Sequence, residues 1–119
     1  MGKTAEPGLE PETEDVVRRM TEVIVREIHP AQIILFGSRA RGDASPDSDV
    51  DLLIVQDEPF SLARPRQQVR RRLYERLAGF GVAKDLLLFS RDTVEAWRHT
   101  TNHVIARALR EGRILYERP

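Results

Sequence analysis

Gln32-Ile33-Ile34-Leu35-Phe36-Gly37-Ser38-Arg39-Ala40-Arg41-Gly42, followed after a short polar stretch by Asp49-Val50-Asp51-Leu52-Leu53-Ile54-Val55, is the part of the sequence that decides the fold. Gln32 to Phe36 is rich in branched apolar residues and bounded by Pro30 and Gly37, which predicts a buried strand. Gly37-Ser38 followed by two arginines predicts a tight turn that opens a short helix, ended by Gly42. Asp43 to Ser48, punctuated by Ser45 and Pro46, reads as a loop, and Val50 to Val55 as the second strand.

Working outward, a helical pattern starts at Thr13, with Val17, Met20, Ile24 and Ile28 on one face, and Pro30 stops it. Beyond the second strand, Pro59 precedes a helix expected over Leu62 to Ala78, where Val69, Leu73 and Leu77 form the buried stripe. Gly79 and Gly81 break the chain before a third strand, Val82 to Phe89. Ser90 is the expected N-cap of the next helix, with Asp92 and Glu95 near its positive end. A last helix, His103 to Arg110, is capped by Gly112 and leads into a short edge strand, Arg113 to Tyr116. The expected architecture is an α/β (α+β) domain with a small mixed β-sheet and flanking helices. It occupies residues 13–119 behind a flexible tail of Glu- and Pro-rich sequence over residues 1–12.

The composition agrees with one folded domain. The 119 residues are 40% hydrophobic and 32% charged, which is neither a disordered nor a membrane composition. Nineteen basic residues balance nineteen acidic ones, so no overall field draws the chain to nucleic acid or to an anionic membrane. Cysteine is absent, which excludes a disulfide framework, Cys-ligated zinc and a thiol nucleophile. The N-terminus has no basic-then-apolar secretory pattern, and no apolar run approaches the roughly 20 residues of a membrane helix. The expected location is the cytoplasm.

The chemistry concentrates around the opening stretch. In a strand alternate residues point the same way, so Asp49 and Asp51 converge on one face. Such carboxylates repel each other unless a divalent cation lies between them, and hard oxygen ligands favour magnesium, with manganese as a substitute. Asp85 interrupts an apolar strand, where an uncompensated charge is costly. Beside the second strand it would join Asp49 and Asp51 in a site for two metals, an arrangement that stabilises the attacking and leaving oxygens of a phosphoryl displacement. Gly37 permits close backbone approach, and the helix start offers free amides to phosphate, supplemented by the Ser38 hydroxyl.

Other polar residues are expected outside this site. Asp43 and Asp47 read as loop residues. Arg39 and Arg41 would contact phosphates or a partner, or pair with Asp43 and Asp47. The arginines from Arg64 to Arg76 are the best candidate for an electrostatic patch, but read first as a solvated face partly neutralised by Asp57, Glu58 and Glu75. His99 and His103 would share a helix face only if their segment is continuous, and the Glu of a zinc-protease helix is missing between them. His29 reads as structural, and Trp97 as packing between the terminal helices and the sheet.

Gly37-Ser38, ten intervening residues and Asp49-Val50-Asp51, with a strand on either side and a later strand bearing Asp85, resemble the DNA polymerase beta nucleotidyltransferase superfamily, most closely its minimal nucleotidyltransferases. The resemblance implies that Gly37 and Ser38 grip a nucleoside triphosphate, that Asp49 and Asp51 ligate Mg2+, and that Asp85 completes the metal site and orients or deprotonates the incoming hydroxyl. All three carboxylates would then be both metal-ligating and catalytic. The implied reaction is attack of an acceptor hydroxyl on the alpha phosphorus of an NTP, with release of pyrophosphate. Minimal members resemble antitoxins that pair with a helical HEPN ribonuclease toxin and silence it by attaching AMP, typically to a tyrosine, so the expected partners are ATP and a HEPN-type protein in a joint oligomer. Two alternatives stand beside this: an antitoxin that acts by binding alone, and transfer to an RNA end or a small molecule.

Overall fold

The computed structural model describes residues 11–42 and 48–119. Most of the expected tail and nearly all of the expected loop from Asp43 to Ser48, with Asp43 and Asp47, lie outside the described residues. The chain runs α1 (Pro11–Ile28), β1 (Gln32–Phe36), α2 (Ser38–Arg41), β2 (Val50–Gln56), α3 (Arg66–Leu77), a 3-10 turn (Ala78–Phe80), β3 (Lys84–Ser90), α4 (Arg91–Trp97), α5 (Val104–Glu111) and β4 (Arg113–Glu117). Helix α1 therefore begins at Pro11, inside the stretch expected to be tail, because proline is well tolerated in a helix's first turn.

The four strands form one mixed sheet in the order β3-β2-β1-β4. Strand β1 is antiparallel to both β2 and β4, and β2 is parallel to β3. The parallel pair requires a crossover, which α3 provides. Helices cover both faces, so the central strands are apolar on both sides and read as continuous hydrophobic runs. One face packs Ile33, Leu35, Val50, Leu52, Ile54, Leu86 and Leu88 against Val17, Met20 and Ile24 of α1 and Val69, Leu73 and Leu77 of α3. On the other, Ile34, Leu53 and Val55 meet Val94 of α4 and Ile105 and Ala108 of α5. Burying each large side chain fully contributes roughly 1.5–3 kcal/mol, which makes these two layers the main source of stability.

The buried polar residues Thr21, Gln56 and Ser90 all find partners. Thr21 Oγ1 donates to the Val17 carbonyl at 2.8 Å. Gln56 donates to the Ile28 carbonyl and accepts from Arg64. The Ser90 hydroxyl caps α4 by accepting from the Thr93 amide at 3.2 Å, as its sequence position predicts.

Several expectations need correction. Helix α3 starts at Arg66 rather than Leu62, because Pro65 fixes an extended φ/ψ at the N-cap and Leu62 is fully exposed. Trp97 is 44% exposed and stacks on His103 at 4.5 Å instead of filling the core. The chain turns after Trp97 and passes through a left-handed Asn102, so His99 and His103 do not share a helix, and His103 Nδ1 caps α5 by accepting from the Ile105 amide. Finally, the arginine face of α3 finds other partners: Arg72 and Arg76 reach Glu27 of α1 and Arg70 reaches Asp85, while Asp57 pairs with Arg91 and Arg118. Among the described residues, no helix is long and apolar enough to cross a membrane.

Candidate active site

The end of β1 and the starts of β2 and β3 lie side by side. Phe36 at the end of β1 is paired with Asp51 of β2, and Asp51 is in parallel register with Asp85 of β3. Neighbouring strands are about 4.8 Å apart, so the two carboxylates rise from adjacent positions on the same face of the sheet. Asp49 lies just ahead of β2 and is exposed.

Immediately after Phe36 the backbone turns at Gly37, with φ 78° and ψ −160°. That combination is essentially restricted to glycine. A side chain is excluded for a second reason, since a Cβ on Gly37 would stand 2.2 Å from Asp51 Oδ2. Thus the turn and the carboxylate occupy touching positions. Helix α2 follows at Ser38, the amides of Ala40 and Arg41 bond back to the Gly37 carbonyl, and Gly42 closes the helix in the left-handed conformation with its amide on the Ser38 carbonyl at 3.0 Å.

The electrostatics single out Asp51. Its pKa is raised above the usual carboxylate value, first by burial, then by Asp85 and then by Asp49, against a weaker opposing pull from Arg41. Cross-strand neighbours of like charge and partial desolvation both disfavour the ionised form, and a cation relieves both. The donor set, three carboxylates, is the chemistry of a hard divalent ion. As they stand, however, no three His, Asp or Glu side chains among the described residues are drawn together closely enough to enclose an ion. Asp85 is paired with α3, its Oδ1 standing 3.6 Å from Arg70 Nη2.

Arginines left outside the site by sequence reasoning belong to its frame. Arg39 donates from Nε and Nη2 to the Ser48 carbonyl at 3.1 and 2.8 Å, tying α2 to the residue before Asp49. Arg41 acts on Asp51 through its charge and stands 3.8 Å from Glu111 at the end of α5. Their location in the Gly-Ser-Arg-Ala-Arg-Gly turn was a usable signal. Nothing in the sequence indicated that Arg70 and Tyr74, one turn apart on α3, would reach the strand segment around Asp85.

Known proteins share the family and the fold of this chain. Residues 18–112 match the model of the nucleotidyltransferase domain. The chain is 35% identical, over 85 residues, to a protein of Methanocaldococcus jannaschii named "Putative protein adenylyltransferase", a match spanning 71% of this chain and 77% of that protein. Among solved structures, one described as a "putative minimal nucleotidyltransferase" superimposes with a TM-score of 0.59 at 27% identity, covering 88% of this chain and 95% of that one. A toxin–antitoxin crystal structure with AMP-PNP contains a chain of similar fold, with a TM-score of 0.54 at 16% identity, over 85% of this chain and 73% of that one.

Proposed function

This chain belongs to the nucleotidyltransferase domain family, and from that premise we propose that it moves AMP from ATP onto a hydroxyl of a partner protein, a HEPN-type ribonuclease toxin that it silences as the antitoxin. The observation that carries the reading is the contact between the Gly37 turn and Asp51, with Asp85 in register on the adjacent strand. A phosphate-binding turn and a carboxylate cluster in contact are what a metal-assisted phosphoryl transfer needs. The name of the Methanocaldococcus jannaschii relative supports a protein as acceptor and adenylate as the transferred group. The toxin–antitoxin neighbour supports the fold alone.

In this reading Gly37 and Ser38 hold the triphosphate, and Asp49, Asp51 and Asp85 hold two Mg2+ ions, with Mn2+ as a substitute. Bound there, the cations supply charge neutralisation along the triphosphate. The remaining work falls to the chain. The turn orients the alpha phosphorus, and Asp85 aligns the acceptor hydroxyl and takes its proton. The acceptor oxygen bonds to the alpha phosphorus as the bond to the bridging oxygen of the beta phosphate breaks, and pyrophosphate leaves. Positioning and electrostatics account for the rate, as in phosphoryl transfer generally. The setting is the cytoplasm, and the protein works in an oligomer with its partner.

The test is incubation with Mg2+ and each labelled NTP, with and without a HEPN-type protein encoded beside it, followed by the intact mass of that protein. An adenylate adduct that disappears in the Asp49→Asn, Asp51→Asn double variant is the expected result. A stable complex with no adduct from any NTP would instead favour an antitoxin that acts by binding. Labelling of RNA ends or of a small hydroxylated molecule would redirect the acceptor while leaving the chemistry in place.

A further inference from the structure

Helix α3 carries two side chains that converge on one residue of the neighbouring edge strand. The Tyr74 hydroxyl accepts from the Leu86 amide at 3.0 Å and donates to the Lys84 carbonyl at 3.5 Å. Lys84 and Leu86 flank Asp85, so one phenol bonds the backbone on both sides of the third carboxylate. The Leu86 amide is on the open side of β3, an outermost strand, where no further strand pairs with it among the described residues. One turn earlier on α3, Arg70 lies over the Tyr74 ring at 5.8 Å and its Nη2 stands 3.6 Å from Asp85 Oδ1. Arg70 Nε is buried and has no hydrogen-bond partner among the described residues. The guanidinium is therefore held by its ring contact and its charge partner rather than by a filled set of hydrogen bonds.

We propose that Tyr74 and Arg70 are positioning residues for Asp85: the phenol fixes the strand that carries the carboxylate, and the guanidinium acts as its counter-ion, competing with a divalent cation for it. The inference rests on the functional reading of Asp85. Tyr74 acts whether or not a cation is present, because its bonds are to the backbone. Arg70 acts on the free carboxylate, and its hold is weak enough to be displaced, since the exposed sides of such pairs are screened by water. The two side chains thus have separable signatures.

Tyr74→Phe keeps the ring and removes only the hydroxyl. It is expected to speed hydrogen exchange at the Leu86 amide by about tenfold. It should also lower kcat by on the order of tenfold with KM for the nucleotide nearly unchanged, because the carboxylate is misplaced while the triphosphate turn is not touched. Arg70→Gln is expected to tighten Mn2+ binding, followed by electron paramagnetic resonance, by roughly three- to fivefold, whereas Arg70→Lys keeps the competing charge and stays near wild type. In an Asp85→Asn background the Arg70→Gln gain should vanish. If Asp85→Asn abolishes transfer while Tyr74→Phe and Arg70→Gln leave exchange, kcat and Mn2+ affinity unchanged, the positioning role is wrong and the reading of the site survives. If Asp85→Asn itself leaves transfer and Mn2+ binding intact, both the reading and this inference are overturned.

Discussion

Gly37→Ala perturbs the site at its tightest contact. The added Cβ would lie 2.2 Å from Asp51 Oδ2, and ordinary contact requires roughly 3.5 Å, so either the turn or the carboxylate must retreat by more than about 1 Å. The backbone there, at φ 78° and ψ −160°, adds a strain of about 1–3 kcal/mol for any residue with a side chain. A displacement of this size at a reacting centre costs on the order of 100-fold in rate. The expected result is thus a variant about 1–3 kcal/mol less stable in urea titration. Its rate of nucleotidyl transfer, measured at saturating NTP, should be lower by about two orders of magnitude. Two controls separate strain from damage to the site. A Cβ on Gly79 meets nothing within 4 Å, so Gly79→Ala should be nearly silent in both assays. Gly112 has an ordinary backbone, but its Cβ would come within 2.3 Å of the Ala108 carbonyl and 2.5 Å of Ile34 Cγ2, so Gly112→Ala should lose stability through packing. If Gly37→Ala keeps wild-type transfer, or if Gly112→Ala loses as much activity as Gly37→Ala at equal stability, contact between turn and carboxylate is not what sets the rate.

Asp51→Asn should stabilise the cation-free protein at neutral pH. The folded-state pKa of Asp51 is raised, so between its ordinary value of 3.8 and the raised one the folded protein binds more protons and loses stability as pH rises. The gain in Tm on substitution should accordingly be present at pH 7 and shrink below pH 3.8, and a gain that is the same at both would contradict the assignment. Ser90→Ala removes the cap of α4 and should cost about 1 kcal/mol in chemical denaturation without altering nucleotide binding. His103→Ala removes the cap of α5 and the stacking partner of Trp97 together, so the stability loss, again about 1 kcal/mol, should be accompanied by a changed Trp97 fluorescence spectrum. An unchanged spectrum would rule out the stack.

Strand β1 was legible to the residue, because proline on one side and glycine on the other bracket an apolar run that can only be a buried strand of that length. The turn into α2 and its end at Gly42 were equally legible, since glycine and the absence of other breakers fix both boundaries locally. Local signals also misled. The apolar Leu62 drew the start of α3 four residues too early, although Pro65 marks the real boundary. An indole at this position predicts packing between the terminal helices and the sheet, but the helix ends there and the ring finds a surface partner in His103. The partners of the α3 arginines could not be read at all: Glu27 is more than forty residues from Arg72, and only the packing of α1 on α3 brings them together. For the site, the spacing of Gly37-Ser38 from Asp49 and Asp51 and the polar interruption at Asp85 named the candidate residues. That the glycine turn touches Asp51, and that Asp85 is held from α3, depends on strand register and on helix rotation, neither of which a one-dimensional pattern carries.

The two pairings of β2 also set an order of assembly. Its antiparallel partner β1 is close in sequence, whereas its parallel partner β3 begins 28 residues after β2 ends, with α3 as the crossover between them. Closing the shorter loop costs less chain entropy, and parallel pairing is the slower event. A chain emerging from the ribosome can therefore bring the Gly37 turn against Asp51 while Asp85 is still unsynthesised or unpaired. Of the three carboxylates Asp85 joins last, while β4, later still in the chain, completes the sheet on the far side of β1.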